Sequence, residues 1–488
     1  MRHITNFSCT AALLLLFATP LISCKDKKAI VDPITKPGTT DPVVPVRSDV
    51  QFWLTEGDAT VLFKKQNLAL NFNTNLNSNP TIEIDATQVS QTIDGFGYTL
   101  TGGSATLING LPEDKKSALL NELFKSDSTH IGVSYIRLSL GASDLDPAPF
   151  SYDDIPAGET DVNLTRFNLD KEKADLLPIL KRIVAINPDI KLLSCPWSPP
   201  TWMKTNGSFK GGSLKPEYYG VYANYFVKYI QAMKAEGIVI DAITPQNEPL
   251  HDGNNPSLKM IATEQAEFIK NHLGPAFKTA NISTKIIVYD HNLDKPEYAI
   301  SIINDPEAGK YVDGSAFHLY AGNINTMSQV HAANPQKHVY FTEQWVGGPS
   351  NFGGDLKWHV GTLIIGATRN WSRNVLEWNL AADPQYNPHT DGGCNTCLGA
   401  LTIDGSSVSR NVAYYVIAHA SKFVVAGSKR IASNVPGSLP NVAFKRPDGK
   451  TVLIVLNESN VPQAFNIKQD DKQVTATLNN GAVGTYIW

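Results

Sequence analysis

Two glutamates stand where a carboxylate could do chemistry, each at the end of a short apolar run. In the stretch IVIDAITPQNEP, residues 238–249, Val239, Ile240, Ala242 and Ile243 follow the breaker Gly237, and Gln246, Asn247 and Glu248 close the run before Pro249. In HVYFTEQW, residues 338–345, an apolar run at 339–341 is followed by Thr342, Glu343 and then Trp345. Such runs predict buried strands of a parallel sheet. In a barrel of parallel strands wrapped by helices, the C-terminal strand ends surround the cleft, so a polar residue placed there faces a ligand. Two carboxyls in one cleft are the equipment of glycoside hydrolysis. A solitary glutamate is ordinarily a solvated or ion-paired loop residue. Here Asn247 can bond a sugar hydroxyl and Trp345 can stack on a sugar ring, which favours the catalytic reading.

The elements needed to position these groups can be read along the chain. From residue 94 to about 383, apolar runs alternate with helical patterns and polar strand ends, which predicts a (β/α)8 TIM barrel. A doubly wound sheet is the alternative, but it would gather function at one switch point. Strands are expected at 133–140, 190–194, 286–289, 315–320 and 374–380 besides the two carrying Glu248 and Glu343, with the glycine-dense 91–103 as a strand-end loop or a turn. Helices are expected at 114–125, 170–187, 216–236 and 356–371. In the third of these, Tyr218, Tyr219, Tyr222, Tyr225, Phe226 and Tyr229 form one face, the pattern of core packing. Arg137 sits inside an apolar strand, where an unpaired charge is very costly, so it should pair with a carboxylate, Glu343 being the expected partner. His318 and Tyr320 end one strand, where they are expected to bind substrate or support the nucleophile, though a lone strand His is more often a core residue, and Trp378 and Asn379 end another as the last wall of the cleft. Trp197 and Trp202 stand in the proline-rich CPWSPPTWMKTNG, as either sugar contacts or core aromatics pinning the loop.

These segments resemble glycoside hydrolase family 30. Its strand-four Asn-Glu-Pro is matched by Asn247-Glu248-Pro249, its strand-seven glutamate by Glu343, its Pro-Trp segment by the residues around Trp197, and its opening Gln-x-Ile-x-Gly-Phe-Gly by the residues from Gln91. The resemblance implies Glu248 as acid/base, Glu343 as nucleophile, and Asp144, after Gly141-Ala142-Ser143, as a substrate-binding residue; otherwise Asp144 would cap a turn before Pro147. It further favours Trp197 over Trp202 as the sugar contact.

Formal charge is −4, and removing residues 1–23, with one Arg and no acid, leaves 41 basic against 46 acidic residues, or −5, so no nucleic acid is an expected partner. Arg2, the apolar run 11–17 and Leu21-Ile22-Ser23-Cys24 read as a bacterial export signal ending in a lipobox, with Cys24 the lipid-bearing first residue. Residues 24–48 form a polar, proline-rich linker. The body is then tethered to the outer membrane, at the cell surface or in the periplasm, and touches the membrane only through its anchor. Cys394 and Cys397, in an exported CxxC, are expected to form a disulfide that stiffens Asn395 for a ligand contact. Cys195 is expected to be a buried free thiol. No metal or cofactor fingerprint is present, so none is expected. Short alternating segments at 49–90 and 412–488 predict one side β-sandwich built from both chain ends around a barrel at 91–411.

The resemblance implies a retaining glycosidase acting on a β-linked glucan or glucoside and similar to endo-β-1,6-glucanases, and a monomer is expected. A glucosylceramidase or an exo-acting β-glucosidase is the alternative within the class. A glycan-binding lipoprotein without activity is the alternative from another class, but it would have no use for two buried, mutually repelling carboxyls.

Overall fold

The computed structural model describes residues 47–488. The expected export signal, Cys24 and most of the linker lie outside the described residues. Eight parallel strands close into a barrel: β1 (Gly95–Leu100), β2 (Tyr135–Ser139), β3 (Lys191–Cys195), β4 (Ala242–Ile243), β5 (Lys285–Asn292), β6 (Val312–His318), β7 (His338–Glu343) and β8 (Ser372–Asn379). β8 pairs with β1, so no edge remains and the doubly wound alternative is excluded. The glycine-dense 91–103 therefore contributes a barrel strand rather than a loop. Inside, Tyr135, Leu193, Ala242, Ile287, Ala316, Tyr340 and Leu376 form one cluster with a contribution from each of β2 to β8. β1 offers Gly97 in register with Tyr135 and Leu376, and a Cβ there would meet the Tyr135 carbonyl oxygen at 1.8 Å, which leaves no room for a side chain.

β4 is shorter than its apolar run suggests. Only Ala242 and Ile243 ladder with their neighbours. Val239 is 66% exposed, whereas Ile238 and Ile240 pack into the helix layer. The helix Tyr219–Ala235 buries its aromatic face, with Tyr222, Phe226 and Phe268 in mutual ring contact.

The segment 412–421 corrects the expected domain boundary. It is a helix, Val412–Ser421, with every residue buried, and it packs on β1 and on the helix Phe352–His359. Its near-continuous apolar composition suits a helix covered on all sides by barrel and side module. Chain that belongs to the side module resumes at the strand Lys429–Ser433.

That module joins both ends of the chain. Gln51–Thr55 pairs with Val483–Ile487, and Thr81–Thr92 lies between Lys429–Ser433 and Gln463–Gln469 in a nine-stranded sheet. Phe465 and Tyr486 sit on strands far apart in the sheet order, yet their rings are 6.0 Å apart. The sheet therefore curls over a core that includes Ile82, Ile84, Leu453, Val455 and Phe465. Val452, Ile454 and Leu456 do not join Ile82 and Ile84 there as expected. With a side-chain period of two they face the other way, into the barrel's core cluster, so both faces of Thr451–Leu456 are buried. His419 couples helix and sheet, its ring nitrogens 2.8 Å from the hydroxyls of Thr485 and Thr55. No helix among the described residues is long and apolar enough to cross a membrane.

Candidate active site

Glu248 and Glu343 converge at the C-terminal mouth of the barrel. Glu343 is the last residue of β7, and Glu248 follows β4 in a left-handed backbone conformation with φ of 43°. Non-glycine residues rarely adopt this region, and they persist in it where surrounding structure over-determines them. Oxygens of the two carboxylates and a ring nitrogen of His318 all lie within 4.8 Å of one another.

Beneath the pair runs a buried polar network. Arg137 on β2 is wholly buried; its Nη1 donates to Glu343 Oε2 at 2.5 Å and its Nη2 to Asn247 Oδ1 at 2.7 Å and Asp290 Oδ2 at 2.8 Å. The Arg137–Glu343 pairing read from the sequence is thus present, within a larger set. Asp290, on β5, also accepts from Thr244 Oγ1 at 2.7 Å and Thr342 Oγ1 at 2.6 Å. Burial alone would raise its carboxyl, but Arg137 and His318 hold it well below the usual range. His318 bridges the whole, with Nε2 3.1 Å from Asp290 Oδ1 and Nδ1 3.2 Å from Glu248 Oε1. Burial disfavours its charge, yet the surrounding carboxylates prevail and push its pKa up to about 9.

The two glutamates differ in their partners. Burial raises both, but the hydrogen bond and charge of His318 pull Glu248 below its ordinary value. For Glu343 burial outweighs the attraction of His318 and Arg137, so its carboxyl is raised. The hydrogen bonds nonetheless fix Glu343 as an anion: Oε2 accepts from Arg137 and Oε1 from the Tyr320 hydroxyl at 2.9 Å, and a protonated carboxyl would surrender one of these. The mobile proton of the cluster therefore lies on the Glu248–His318 contact, on the imidazole in the free protein.

Above the carboxylates is a cavity of about 420 Å³ whose walls include Asp144, Trp197, Trp345, Trp378 and Tyr320. Trp197 and Trp378 are 5.5 Å apart, and the Arg137 guanidinium lies 4.8 Å from the Trp197 ring centre. Asp144 is buried, and burial with the nearby Glu343 charge pushes its pKa up to about 7. Asn247 also lines the cavity, between Glu248 and the Arg137 that orients it. Trp202 turns away, its indole N–H donating to Asp153.

One open reading is decided and two change. His318 has no exposed surface and does not line the cavity, so of its two expected roles it takes that of supporting the glutamates from below, not that of touching a ligand. Asn379 directs its amide toward the Cys397 carbonyl at 3.4 Å, away from the cavity. Cys394 and Cys397 are joined in a disulfide, but Asn395 between them is exposed and outside the cavity, which is walled instead by Gly392, Gly393 and the two cysteines. In so tight a loop the intervening side chain is turned outward. Cys195 is a buried free thiol. Sequence reading missed Asp290 as a hub, and it missed His251 and His291 as cavity residues. The polar triplet Asp290-His291-Asn292 at a strand end was the available signal.

A closed (β/α)8 barrel bearing two carboxylates at its mouth, with tryptophan walls, defines a barrel glycosidase. The chain belongs to glycoside hydrolase family 30: residues 93–424 match the family's TIM-barrel domain and residues 427–486 its beta sandwich domain. It is 35% identical over 429 residues to an endo-1,6-beta-D-glucanase of Aspergillus fumigatus, covering 82% of this chain and 84% of the relative. It is 29% identical over 427 residues to the lysosomal acid glucosylceramidase of Mus musculus, covering 82% and 81%. The solved structure of the endo-beta1,6-glucanase BT3312 superposes with a TM-score of 0.85 at 35% identity, covering 91% of this chain and 99% of that one.

Proposed function

We propose that this glycoside hydrolase is a retaining endo-β-1,6-glucanase. The observation that carries the mechanism is the spacing of Glu248 and Glu343, whose oxygens approach within 4.8 Å, the close setting in which the second carboxylate attacks directly and not the wider one that inverting enzymes need for an attacking water. The substrate class is supported by the endo-1,6-glucanase relatives, which are more similar to this chain than the glucosylceramidase.

Glu343 attacks the anomeric carbon, and the bond from that carbon to the glycosidic oxygen breaks as Glu248 donates its proton to the oxygen. Glu248 takes this proton from His318 Nδ1, across the 3.2 Å contact, as Glu343 gives up its negative charge to the new bond and the imidazole loses one of the carboxylates that kept it charged. Arg137 and Tyr320 hold the Glu343 oxygens, so the nucleophile meets the sugar in one orientation. In the second step Glu248 removes a proton from water, which attacks the glycosyl-enzyme and releases a product of retained configuration. Asn247 holds the 2-hydroxyl, and Asp144 with Trp197 and Trp378 receives the rest of the ring.

The first 24 residues support an exported protein anchored by lipid on Cys24, its body at the cell surface or in the periplasm. Incubation with linear β-1,6-glucan tests the substrate assignment: a ladder of oligosaccharides is expected. A single released monosaccharide would show exo action, and cleavage of glucosylceramide alone would move the enzyme to that reading.

A further inference from the structure

The loop that follows β8 is tied into the cavity wall at both ends of its disulfide. On the Cys394 side, the Cys394 amide donates to Asp144 Oδ2 at 3.2 Å, and the Thr390 amide donates to the Asp144 carbonyl at 2.8 Å. On the Cys397 side, Cys397 and Leu398 pair with Gly347 and Val346, just beyond Glu343, and the Gly348 amide donates to the Thr396 carbonyl at 2.8 Å. The disulfide thus joins a segment fixed to Asp144, beyond β2, to a segment fixed to the chain that leaves the β7 glutamate. Its sulfur-bearing residues share one cluster with Trp197, Trp378 and Trp345. Gly393, next to Cys394, has no room for a side chain, because a Cβ would meet the Asp144 carbonyl oxygen at 2.5 Å.

The same loop reaches across the barrel. Asn255, in the loop after β4, donates its amide to the Asp391 carbonyl at 3.2 Å and accepts from the Thr390 hydroxyl through its own carbonyl. Loops from β4 and β8 leave opposite points of an eight-stranded ring. Their junction spans the mouth between those points, with Asp144 and Trp197 on the side of β1 to β3 and Tyr320, after β6, on the other.

We propose that the Cys394–Cys397 disulfide is a positioning element for the sugar-binding subsite: it holds Asp144 in place to meet the sugar whose anomeric carbon reacts. Asp144 has one oxygen taken by the Cys394 amide, which leaves the other to accept from a sugar hydroxyl. Without the disulfide the peptide can retreat from Asp144, whose carboxylate then has alternative rotamers, and the glycone loses an oriented partner. A contact made to the glycone alone acts equally on substrates that differ only in their leaving group. The inference rests on the proposed glycosidase reading of the same cavity.

The test is a double-mutant cycle on the full chain, with Cys394→Ser/Cys397→Ser, Asp144→Asn and their combination, read as KM and kcat separately. The substrates are linear β-1,6-glucan and 4-nitrophenyl β-glucoside, which present the same glycone with different leaving groups. Removing the disulfide is expected to raise KM about tenfold on both, equivalent to roughly 1.4 kcal/mol of lost binding, and to change KM less than twofold in the Asp144→Asn background. Equal losses in the two backgrounds would overturn the proposal, since the disulfide would then act independently of Asp144. So would an unchanged KM, or a loss confined to the polymer. Wild-type protein inactive on β-1,6-glucan but active on the aryl glucoside would refute the linkage assignment only, and the cycle would still be decided on the aryl substrate. Melting temperatures of all four proteins separate loss of fold from loss of position.

Discussion

The backbone N–H of Glu248 donates to the carbonyl of Asp290 at 3.0 Å, and both residues hold left-handed backbone conformations, with φ of 43° and 65°. Each such residue costs on the order of 1–3 kcal/mol, and the surrounding contacts must offset it. Asp290 supplies many of those contacts. Its carbonyl fixes the main chain of one glutamate, while its carboxylate fixes Arg137 and His318, the side-chain partners of both. The relative placement of the two catalytic candidates is therefore set through a residue that reaches neither substrate nor solvent.

Asp290→Asn keeps the shape of this hub but replaces an acceptor oxygen with an amide that donates. Arg137, Thr244, Thr342 and His318 all point donors at that side chain, so at least one contact becomes repulsive. Breaking a buried charge pair costs roughly 3–5 kcal/mol. The variant is expected to melt earlier than the parent and to lose about 10- to 100-fold in kcat/KM, as losses of a supporting partner do. A variant with near-parental kcat would show that Arg137 and His318 are held by other means.

Glu343→Gln should abolish turnover while substrate binding survives, because the amide retains the shape but cannot form the glycosyl ester. Glu248→Ala should depend on the leaving group. With an activated aryl glucoside the first step needs little acid help, so the glycosyl-enzyme accumulates and added azide restores its breakdown. Azide rescue of Glu343→Ala in place of Glu248→Ala would exchange the two roles.

Sequence revealed what repeats or stands at a strand end, and it concealed what depends on register between distant strands. The barrel was legible because apolar runs alternate with helical patterns, and Glu248, Glu343 and Trp378 were legible because they close such runs, whereas Asp144 and the choice of Trp197 over Trp202 came from the family resemblance. Asp290 was not singled out, since its importance lies in four donors delivered by four other segments. The orientation of Val452, Ile454 and Leu456 was equally hidden, because a strand buried on both faces has no polar alternation to mark which side meets which partner. His318 was found, but its depth was not: a strand-end ring can line the cavity or lie beneath it, and only the three-dimensional placement of Glu248 and Glu343 above it decides.

His419 gives a pH prediction. Burial pushes its pKa down to about 3, so the folded protein keeps it neutral between the hydroxyls of Thr485 and Thr55. The unfolded chain takes up a proton near its ordinary pKa of about 6.5. Between those values the unfolded state binds more protons, and this residue's contribution to stability falls as pH falls from about 6.5 toward 3. His419→Gln removes the titration while keeping a group able to bond both hydroxyls. The stability of the variant relative to the parent should therefore improve steadily from pH 7 to pH 4 in urea unfolding. A difference independent of pH would mean that His419 does not stay neutral in the fold.

The last prediction concerns the shared side module. Gln51–Thr55 depends on Val483–Ile487 for one of its edges, and Thr81–Thr92 depends on Gln463–Gln469, so strands from the N-terminal end need partners from the C-terminal end. Beyond this pairing, Val452, Ile454 and Leu456 cover the barrel's helix layer, where a Cβ on Gly361 would come within 3.1 Å of Leu456. Deleting residues 441–488 should thus expose three unpaired strand edges, that of Lys429–Ser433 included, and an apolar barrel face together, and unpaired edges template aggregation. Insoluble protein is expected. A point substitution isolates the second effect: Ile454→Glu buries a charge against the barrel, where no partner faces it, while Ala464→Glu adds the same charge on the exposed face of a strand in the same sheet. The first should cut soluble yield and lower the melting temperature; the second should leave both near the parent. A soluble, fully active truncation, or an Ile454→Glu protein as stable as Ala464→Glu, would show that the barrel does not need the module as its cover.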